Sequence, residues 1–134
     1  MRFGFVGLED VDAAIGALKS DKVLLSDKVF HIEIPHRGNA PKVSMYDDIS
    51  QIEGVYTVDR EAGAVIVEME NGERREFRGE GEASSFIARE ICDGKTSRIY
   101  RYDDMIRVLE GCLHREEIDD ECEAIVIAAL RGWL

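Results

Sequence analysis

The chain has 134 residues, of which 45% are apolar and only two are proline, so its composition excludes an intrinsically disordered protein. Its 28 Asp and Glu outnumber its 17 Lys and Arg and give a formal net charge of −11 at pH 7. This charge disfavours nucleic acids and anionic membranes as partners, since both need a basic surface on the protein. The length is that of one domain, and we predict a single compact domain over residues 1–134.

The opening segment, MRFGFVGLEDVD, predicts a strand over Met1–Val6, a turn at Gly7 and then a helix. Asp10 is expected to be the N-cap of this helix, because its side chain can accept a hydrogen bond from a free backbone N–H. Apolar residues follow at the i, i+4, i+7 spacing of one helical face, at Val11, Ile15 and Leu18.

The turn at Gly7 resembles, over about eight residues, the nucleotide-binding start of hydroxyacid-type dehydrogenases. A pyrophosphate site of this kind needs glycine where the chain has Glu9, and glycine or alanine where it has Asp12. Two carboxylates at these positions repel the anion that a helix N-terminus otherwise attracts. We therefore predict a structural strand–turn–helix there, without a nucleotide or any other cofactor.

Alternating apolar and polar residues over Lys28–Ile34 predict a half-buried strand, which ends at Pro35. The segment His36–Lys42 (HRGNAPK) contains both Gly and Pro and is typical of a loop. A short helix is expected over Asp47–Glu53, ended by Gly54.

Three short strand patterns follow, over Val55–Asp59, Ala64–Glu70 and Glu73–Arg78. They are joined by Arg60–Gly63 and by Asn71-Gly72, and an Asn-Gly pair is a strong signal for a two-residue hairpin turn. This segment is therefore predicted to form an antiparallel meander of three strands.

The last part of the chain predicts one strand and three helices. The strand covers Arg98–Tyr102, and the first helix covers Ala83–Cys92. The second helix runs from its predicted N-cap, Asp103, to Gly111, and the third from its predicted N-cap, Asp119, to about Arg131. The predicted fold class is α+β. We expect one mixed sheet of about five to six strands that contains the antiparallel three-strand meander at residues 55–78 and is covered by N-terminal and C-terminal helices.

The three cysteines, Cys92, Cys112 and Cys122, form no CxxC motif and leave one unpaired in any disulfide scheme. An odd and scattered set is typical of a reducing compartment, and of thiols that are buried as small apolar side chains. No basic segment followed by an apolar one marks a secretory signal, and the longest apolar run, Ala124–Leu130, is too short to cross a bilayer. We therefore expect a cytoplasmic protein.

Residues 74–107 form the only part of the chain that is not acidic, with eight Lys and Arg and seven Asp and Glu. Within it, the segment KTSRIYRY predicts a strand with Arg98, Tyr100 and Tyr102 on one face. Guanidinium groups beside aromatic rings bind phosphate or carboxylate groups, or stack a base. The candidate anion-binding residues are Lys95, Arg98, Tyr100 and Arg101, together with His36 and Arg37 from the loop. The alternative is that these arginines pair with neighbouring acidic residues.

No pattern in the chain predicts catalysis or metal binding. Cys112 and His114 are close in sequence, but the other cysteines lie at spacings unlike those of zinc sites. Paired carboxylates mostly stand at predicted helix starts, where the helix dipole favours negative charge. We therefore assign no catalytic residue, no metal ligand and no cofactor.

The C-terminal helix gives the strongest indication of function. Its core face is a wide apolar stripe formed by Ile118, Cys122, Ile125, Val126, Ala129, Leu130 and Trp133. Ile127 points away from that stripe, so the helix is expected to be buried on two sides, with another helix or another subunit as the second cover. We predict a C₂ homodimer, and the candidate self-association residues are Ile127, Leu130, Trp133 and Leu134.

Two functional classes follow from these patterns. The first is a homo-oligomeric binding or regulatory module of unspecified ligand, which uses its C-terminal helix for partners and binds a small anion near Arg98 and Arg101. The alternative is a small enzyme that acts on an anionic metabolite through the His36–Arg37 loop and the arginine strand. The first class is preferred because no nucleophile–base pair or metal spacing stands out.

Overall fold

The computed structural model describes residues 6–34, 42–92 and 97–131, so most of the predicted first strand and of the predicted loop lies outside the described residues. The α-helices within them are α1 (Leu8–Ser20), α2 (Lys22–Leu25), α3 (Glu80–Phe86), α4 (Tyr102–Arg115) and α5 (Asp120–Arg131). The strands are β1 (Val29–Glu33), β2 (Lys42–Tyr46), β3 (Val55–Glu61), β4 (Ala64–Met69), β5 (Arg74–Phe77) and β6 (Ser97–Arg101). A 3₁₀ turn covers Ile49–Gln51, and a π-helical turn covers Ile87–Ile91.

The described strands form two antiparallel sheets instead of the predicted single mixed sheet. Strand β1 pairs with β2 on one edge and with β6 on the other, and we call this the central sheet. The other, the meander sheet, has the order β3-β4-β5.

The predicted antiparallel meander is confirmed. The turn between β3 and β4 consists of Ala62 and Gly63, both with positive φ (49° and 83°), as a two-residue hairpin turn requires. Between β4 and β5 the N–H of Met69 donates to the carbonyl of Glu73 at 2.8 Å, and the N–H of Gly72 donates to the carbonyl of Met69 at 2.9 Å. The loop at the Asn-Gly pair is therefore three residues long, one more than predicted.

The central sheet lies between two hydrophobic cores. Phe30 and Ile32 of β1 point into the helical core, which they share with buried residues of α1, α4 and α5. Val29 of β1 and Ile99 of β6 point the opposite way, into the meander core formed with β3, β4, α3 and the π-helical turn. Strand β1 is thus covered on both faces, whereas its alternating sequence predicted one buried face.

Helices α1 and α4 begin in the same way: the side chain of an aspartate in the first turn accepts a hydrogen bond from the backbone N–H of the N-cap residue. The N-cap of α1 is Gly7, whose N–H donates to Oδ2 of Asp10 at 2.9 Å. The N-cap of α4 is Arg101, whose N–H donates to Oδ2 of Asp104 at 3.1 Å. The predicted N-caps at Asp10 and Asp103 are therefore wrong, because an acidic residue three positions later satisfies the N–H of the true N-cap.

Other segments also differ from the prediction. The helix expected over Asp47–Glu53 is only a 3₁₀ turn, at the start of which Asp48 accepts a hydrogen bond from the N–H of Ser50 at 3.1 Å. Strand β2 and helix α2 are five and four residues long and were not predicted, because such short segments show no clear periodicity. The predicted helix over residues 83–92 is α3, and the π-helical turn continues it.

Gly54 follows the 3₁₀ turn with a φ of +97°, and a Cβ there would lie 2.5 Å from Cγ2 of Ile91. Gly54→Ala therefore adds both backbone strain and a steric clash, and we expect it to lower the free energy of unfolding in urea by about 2–3 kcal/mol. Gly63→Ala is the matched control, because Gly63 has a φ of +83° and open space around it. We expect the control to cost about 1–2 kcal/mol. An equal loss in both variants would contradict a role for the contact with Ile91.

Candidate functional site

A cavity of about 340 Å³ opens where β6 joins α4, and α3 forms its opposite wall. We call it the arginine cleft. Its polar lining residues are Ser84, Ser85, Tyr100, Arg101, Asp104 and Arg107. The cleft therefore contains two of the candidate anion-binding residues, Tyr100 and Arg101, and adds Arg107 and the serines of α3.

At the start of α4 the carboxylate of Asp104 contacts the backbone of Arg101 and the side chain of Arg107. Oδ2 of Asp104 accepts the backbone N–H of Arg101, which fixes the end of β6. Oδ1 of Asp104 lies 3.6 Å from Nη1 of Arg107, one helical turn further on. Arg101 is exposed, and its guanidinium forms no ion pair with any described residue. Two guanidinium groups thus border the cavity, and one of them is unpaired within the described part of the chain.

The arginine cleft differs in charge from two other cavities of the described residues. A cavity of about 360 Å³ beside the π-helical turn is lined by three glutamates and one arginine. Another, of about 420 Å³ beside the β3–β4 turn, is lined by two glutamates and one arginine. The arginine cleft has two arginines and one aspartate. Among these three cavities it is therefore the one with a positive lining, and anions are favoured there.

Arg98 and Arg101 were predicted to act together, but the structure places them apart. They are three positions apart on β6, so they lie on opposite faces of the strand. Arg98 pairs in register with Ile32 on the side of the helical core, and its Nη1 donates to the carbonyl of Ser97 at 2.9 Å. Tyr102 is the first residue of α4, and its hydroxyl donates to the carbonyl of Leu18 at 3.1 Å.

Arg98 faces the acidic start of α5. Burial raises the pKa of Glu121, and the positive charge of Arg98 acts in the opposite direction. Oε1 of Glu121 is buried and has no hydrogen-bond partner among the described residues. Arg98 is therefore positioned to neutralise the carboxylate of Glu121. Pairing with an acidic residue of the chain is the alternative that the sequence analysis gave for these arginines.

The remaining candidates lie outside the described residues. They are Lys95, His36 and Arg37 of the predicted anion site and Trp133 and Leu134 of the predicted self-association surface. Ser84, Ser85 and Arg107 were not predicted as members of a site. A serine or an arginine on a helix carries no sequence signal until the facing element is known.

The start of α1, which resembles a nucleotide-binding turn in sequence, is occupied by the chain itself. The N–H of Gly7 donates to Asp10, so this donor is not available to a ligand. A Cβ on Gly7 would lie 2.6 Å from Oε1 of Glu9, which shows that the Glu9 carboxylate lies over the turn. The two acidic residues hold the position at which a pyrophosphate would bind.

A histidine and a serine meet on the meander side of the central sheet. Nε2 of His31 lies 3.1 Å from Oγ of Ser97, although the two residues are far apart in sequence. A contact of this kind activates serine nucleophiles in hydrolases. Ser97 is only 3% exposed, however, so its hydroxyl is not open to a substrate. The pair therefore satisfies two polar groups inside the fold.

Helix α5 is covered on two sides, as predicted, and the chain itself supplies both covers. It packs against α1 and α4 and against strands β1 and β2. Ala124 and Ala128, on the side expected to meet a partner, are buried within the chain. Ile127 is partly buried, while Leu130 is 47% exposed. Two-sided burial of this helix thus requires no second subunit.

Comparisons with protein-family models, with curated proteins and with solved structures find no significant match to this chain. Among the described residues no helix combines the length and the apolar character needed to cross a membrane. Those residues also contain no cluster of three His, Cys, Asp or Glu side chains arranged to hold a metal ion.

Burial lowers the pKa of His31; Lys42 adds to this lowering and Glu33 opposes it. Because an unfolded histidine titrates near pH ~6.5, the unfolded chain binds this proton more readily than the folded chain does. Its contribution to the free energy of unfolding is complete above that pH and is lost as the pH falls towards the folded pKa. We expect a loss below about 1 kcal/mol, since the ring is partly solvated.

Urea unfolding of the wild type and of His31→Gln between pH 7.5 and 5 (from about one unit above to about 1.5 units below the usual histidine pKa) measures this effect. The glutamine keeps a polar group beside Ser97 but does not titrate. The difference in the free energy of unfolding between the wild type and His31→Gln should shrink as the pH falls. A difference that is independent of pH would show that His31 has an unperturbed pKa.

Proposed function

We propose that this protein is a small binding or regulatory domain that takes up a small anion in the arginine cleft. The observation that carries the proposal is the pair of guanidinium groups, from Arg101 and Arg107, beside one cavity of a chain with a net charge of −11. In such a chain, carboxylates neutralise most basic groups. A cavity that keeps an excess of positive charge is therefore the favoured place for an anionic ligand.

The proposed ligand carries a phosphate or carboxylate group. A guanidinium donates paired hydrogen bonds that fit the oxygens of both groups, and it stays charged at every physiological pH. Ser85 is exposed on the opposite wall and can add a hydroxyl donor. A cavity of about 340 Å³ accommodates a small metabolite rather than a polymer. Nucleic acid is not proposed as a partner, in line with the net charge, and a cytoplasmic location is proposed from the odd set of cysteines.

An enzyme that acts on an anionic metabolite, the alternative from the sequence, has less support. It was expected to use Arg98 and Arg101 together with the His36–Arg37 loop. The arginines lie on opposite faces of β6, and the loop lies outside the described residues. The contact between His31 and Ser97 involves a buried hydroxyl. The binding module therefore stays the preferred proposal.

Inorganic phosphate is the probe for the arginine cleft. We expect phosphate to raise the melting temperature of the wild type by mass action, and Arg101→Gln with Arg107→Gln to weaken its apparent affinity at least about tenfold. Arg78→Gln is the matched control, because the Arg78 side chain is 95% exposed and lies outside the cleft. The melting temperatures of the wild type, the double variant and the control are measured at increasing phosphate concentration and constant ionic strength. An equal weakening in the control would indicate unspecific screening, and no phosphate effect on the wild type would refute the proposal.

We also propose that the chain forms the predicted homodimer through the end of α5. The support is that Leu130, in the apolar stripe of α5, is 47% exposed although this helix is otherwise well buried. A large apolar side chain at the end of a buried helix gains free energy when a second copy covers it. Trp133 and Leu134 belong to the same proposed surface.

Leu130→Glu tests the dimer against a matched control on another exposed apolar side chain. Leu24 of α2 is 68% exposed and is distant from Leu130 in sequence. Light scattering after size exclusion should give a dimer for the wild type and for Leu24→Glu, and a monomer for Leu130→Glu, because a buried unpaired carboxylate opposes association. A monomeric wild type would disprove the dimer. Dissociation by Leu24→Glu alone would place the interface at α2.

A further inference from the structure

The arginine cleft runs along an edge of the central sheet. Strand β6 pairs with β1 on one edge, and no other described strand pairs with its second edge. Three successive residues at the end of this strand, Ile99, Tyr100 and Arg101, line the cleft. Because successive side chains of a strand point to opposite faces, a cavity that touches all three residues lies beside the edge of the strand. The cleft therefore occupies the place that a neighbouring strand would take.

This edge presents backbone hydrogen-bonding groups to the cleft. In an antiparallel pair the residues alternate, so that one turns its N–H and C=O to the partner strand and the next turns them away from it. One of Ile99 and Tyr100 therefore directs both groups away from β1. Within the described part of the chain, no backbone group of α3 or α4 bonds to either residue. One N–H donor and one C=O acceptor thus face the cavity, where a ligand or water has to satisfy them.

The other walls of the cleft leave room for an extended chain that ends at α4. Opposite β6, helix α3 contributes Gly81, Ser84 and Ser85, which lie on one face of this helix at the i, i+3, i+4 spacing. Their side chains are small, and a Cβ on Gly81 would meet open space. At the end of β6 the chain turns directly into α4, and three residues of α4 line that end of the cavity. A chain that lies beside β6 therefore stops at α4, next to the two arginines.

We propose that the ligand of the arginine cleft is a short peptide with a free carboxyl terminus. The peptide runs parallel to β6, as in strand addition to a sheet edge. The outward N–H of β6 donates to the carbonyl of the last amide but one, and the outward C=O accepts the N–H of the last amide. The terminal carboxylate accepts hydrogen bonds from Arg101 and Arg107. Val108, which is partly buried and lines the cavity, favours an apolar last residue.

This inference rests on the proposed anion-binding function and names the ligand of that site. Inorganic phosphate carries the charge that the guanidinium groups of Arg101 and Arg107 attract, but it has no amide group for the edge of β6. A peptide acid uses both parts of the site. The two further hydrogen bonds should raise its affinity by roughly tenfold or more over that of a carboxylate without amides.

NMR titration of the isotope-labelled full-length protein tests the inference with three probes. Acetyl-alanyl-leucine carries both amides and the carboxylate, and its C-terminal amide lacks the carboxylate. Isocaproate keeps the carboxylate and the side chain of leucine but has no amide. We expect the peptide acid to bind at least about tenfold more tightly than either of the other probes and to shift the backbone amide signal of Ile99 or Tyr100.

Arg101→Gln with Arg107→Gln should lower the affinity for the peptide acid to that for its amide. Arg78→Gln is the matched control and should leave the affinity unchanged, because Arg78 lies outside the cleft. If the double variant fails to fold, the comparison of the three probes on the wild type decides the question.

Three results would overturn the inference while the anion-binding function stands, provided that phosphate still binds in the cleft. They are equal affinities for isocaproate and the peptide acid, equal affinities for the peptide acid and its amide, and peptide-induced signal shifts confined to residues outside the cleft. Binding of none of these probes, phosphate included, would refute both the inference and the anion-binding function.

Discussion

The rest of the structure depends on the position of β1 between two cores. Phe30 points into the helical core and Val29 into the meander core. The core that each of these side chains enters is therefore fixed by its position in the strand. Strand β6 pairs with β1 in register and must follow the same alternation: Tyr100, opposite Phe30, packs against the helices, and Ile99 packs against the meander. A slip of one residue would exchange the two sets of side chains between the cores, so the register is strongly determined.

This register decides what each arginine of β6 can do. Arg98 falls within the sheet on the helical side, where it meets the acidic start of α5. Arg101 falls at the point where the strand ends and α4 begins, so its backbone is fixed as an N-cap while its side chain stays exposed. The arginine cleft exists because α3 packs against this end of the strand. A basic residue one or two positions earlier would face a core.

The sequence pattern predicted those elements whose structure depends on interactions between residues that are close in sequence. The alternation of the meander strands and the N-cap Asp119 were found because their evidence lies within a few residues. The division into two sheets and the burial of both faces of β1 depend on pairings between distant segments, which periodicity does not show. The same limit applies to the site. The segment that contains Tyr100 and Arg101 is basic in sequence, whereas Arg107 joins the site only because α3 and α4 border the same cavity.

The distribution of carboxylates explains how an acidic chain can keep a positive cavity. Many of its acidic groups are engaged locally: Arg60, for example, pairs with both Asp48 and Glu80. An arginine surrounded by free carboxylates is neutralised and cannot bind a ligand anion. At the arginine cleft, Asp104 accepts the backbone N–H of Arg101 with one oxygen and lies beside the guanidinium of Arg107 with the other. The carboxylate of Asp104 thus stabilises the helix start, and the guanidinium of Arg101 forms no ion pair with any described residue.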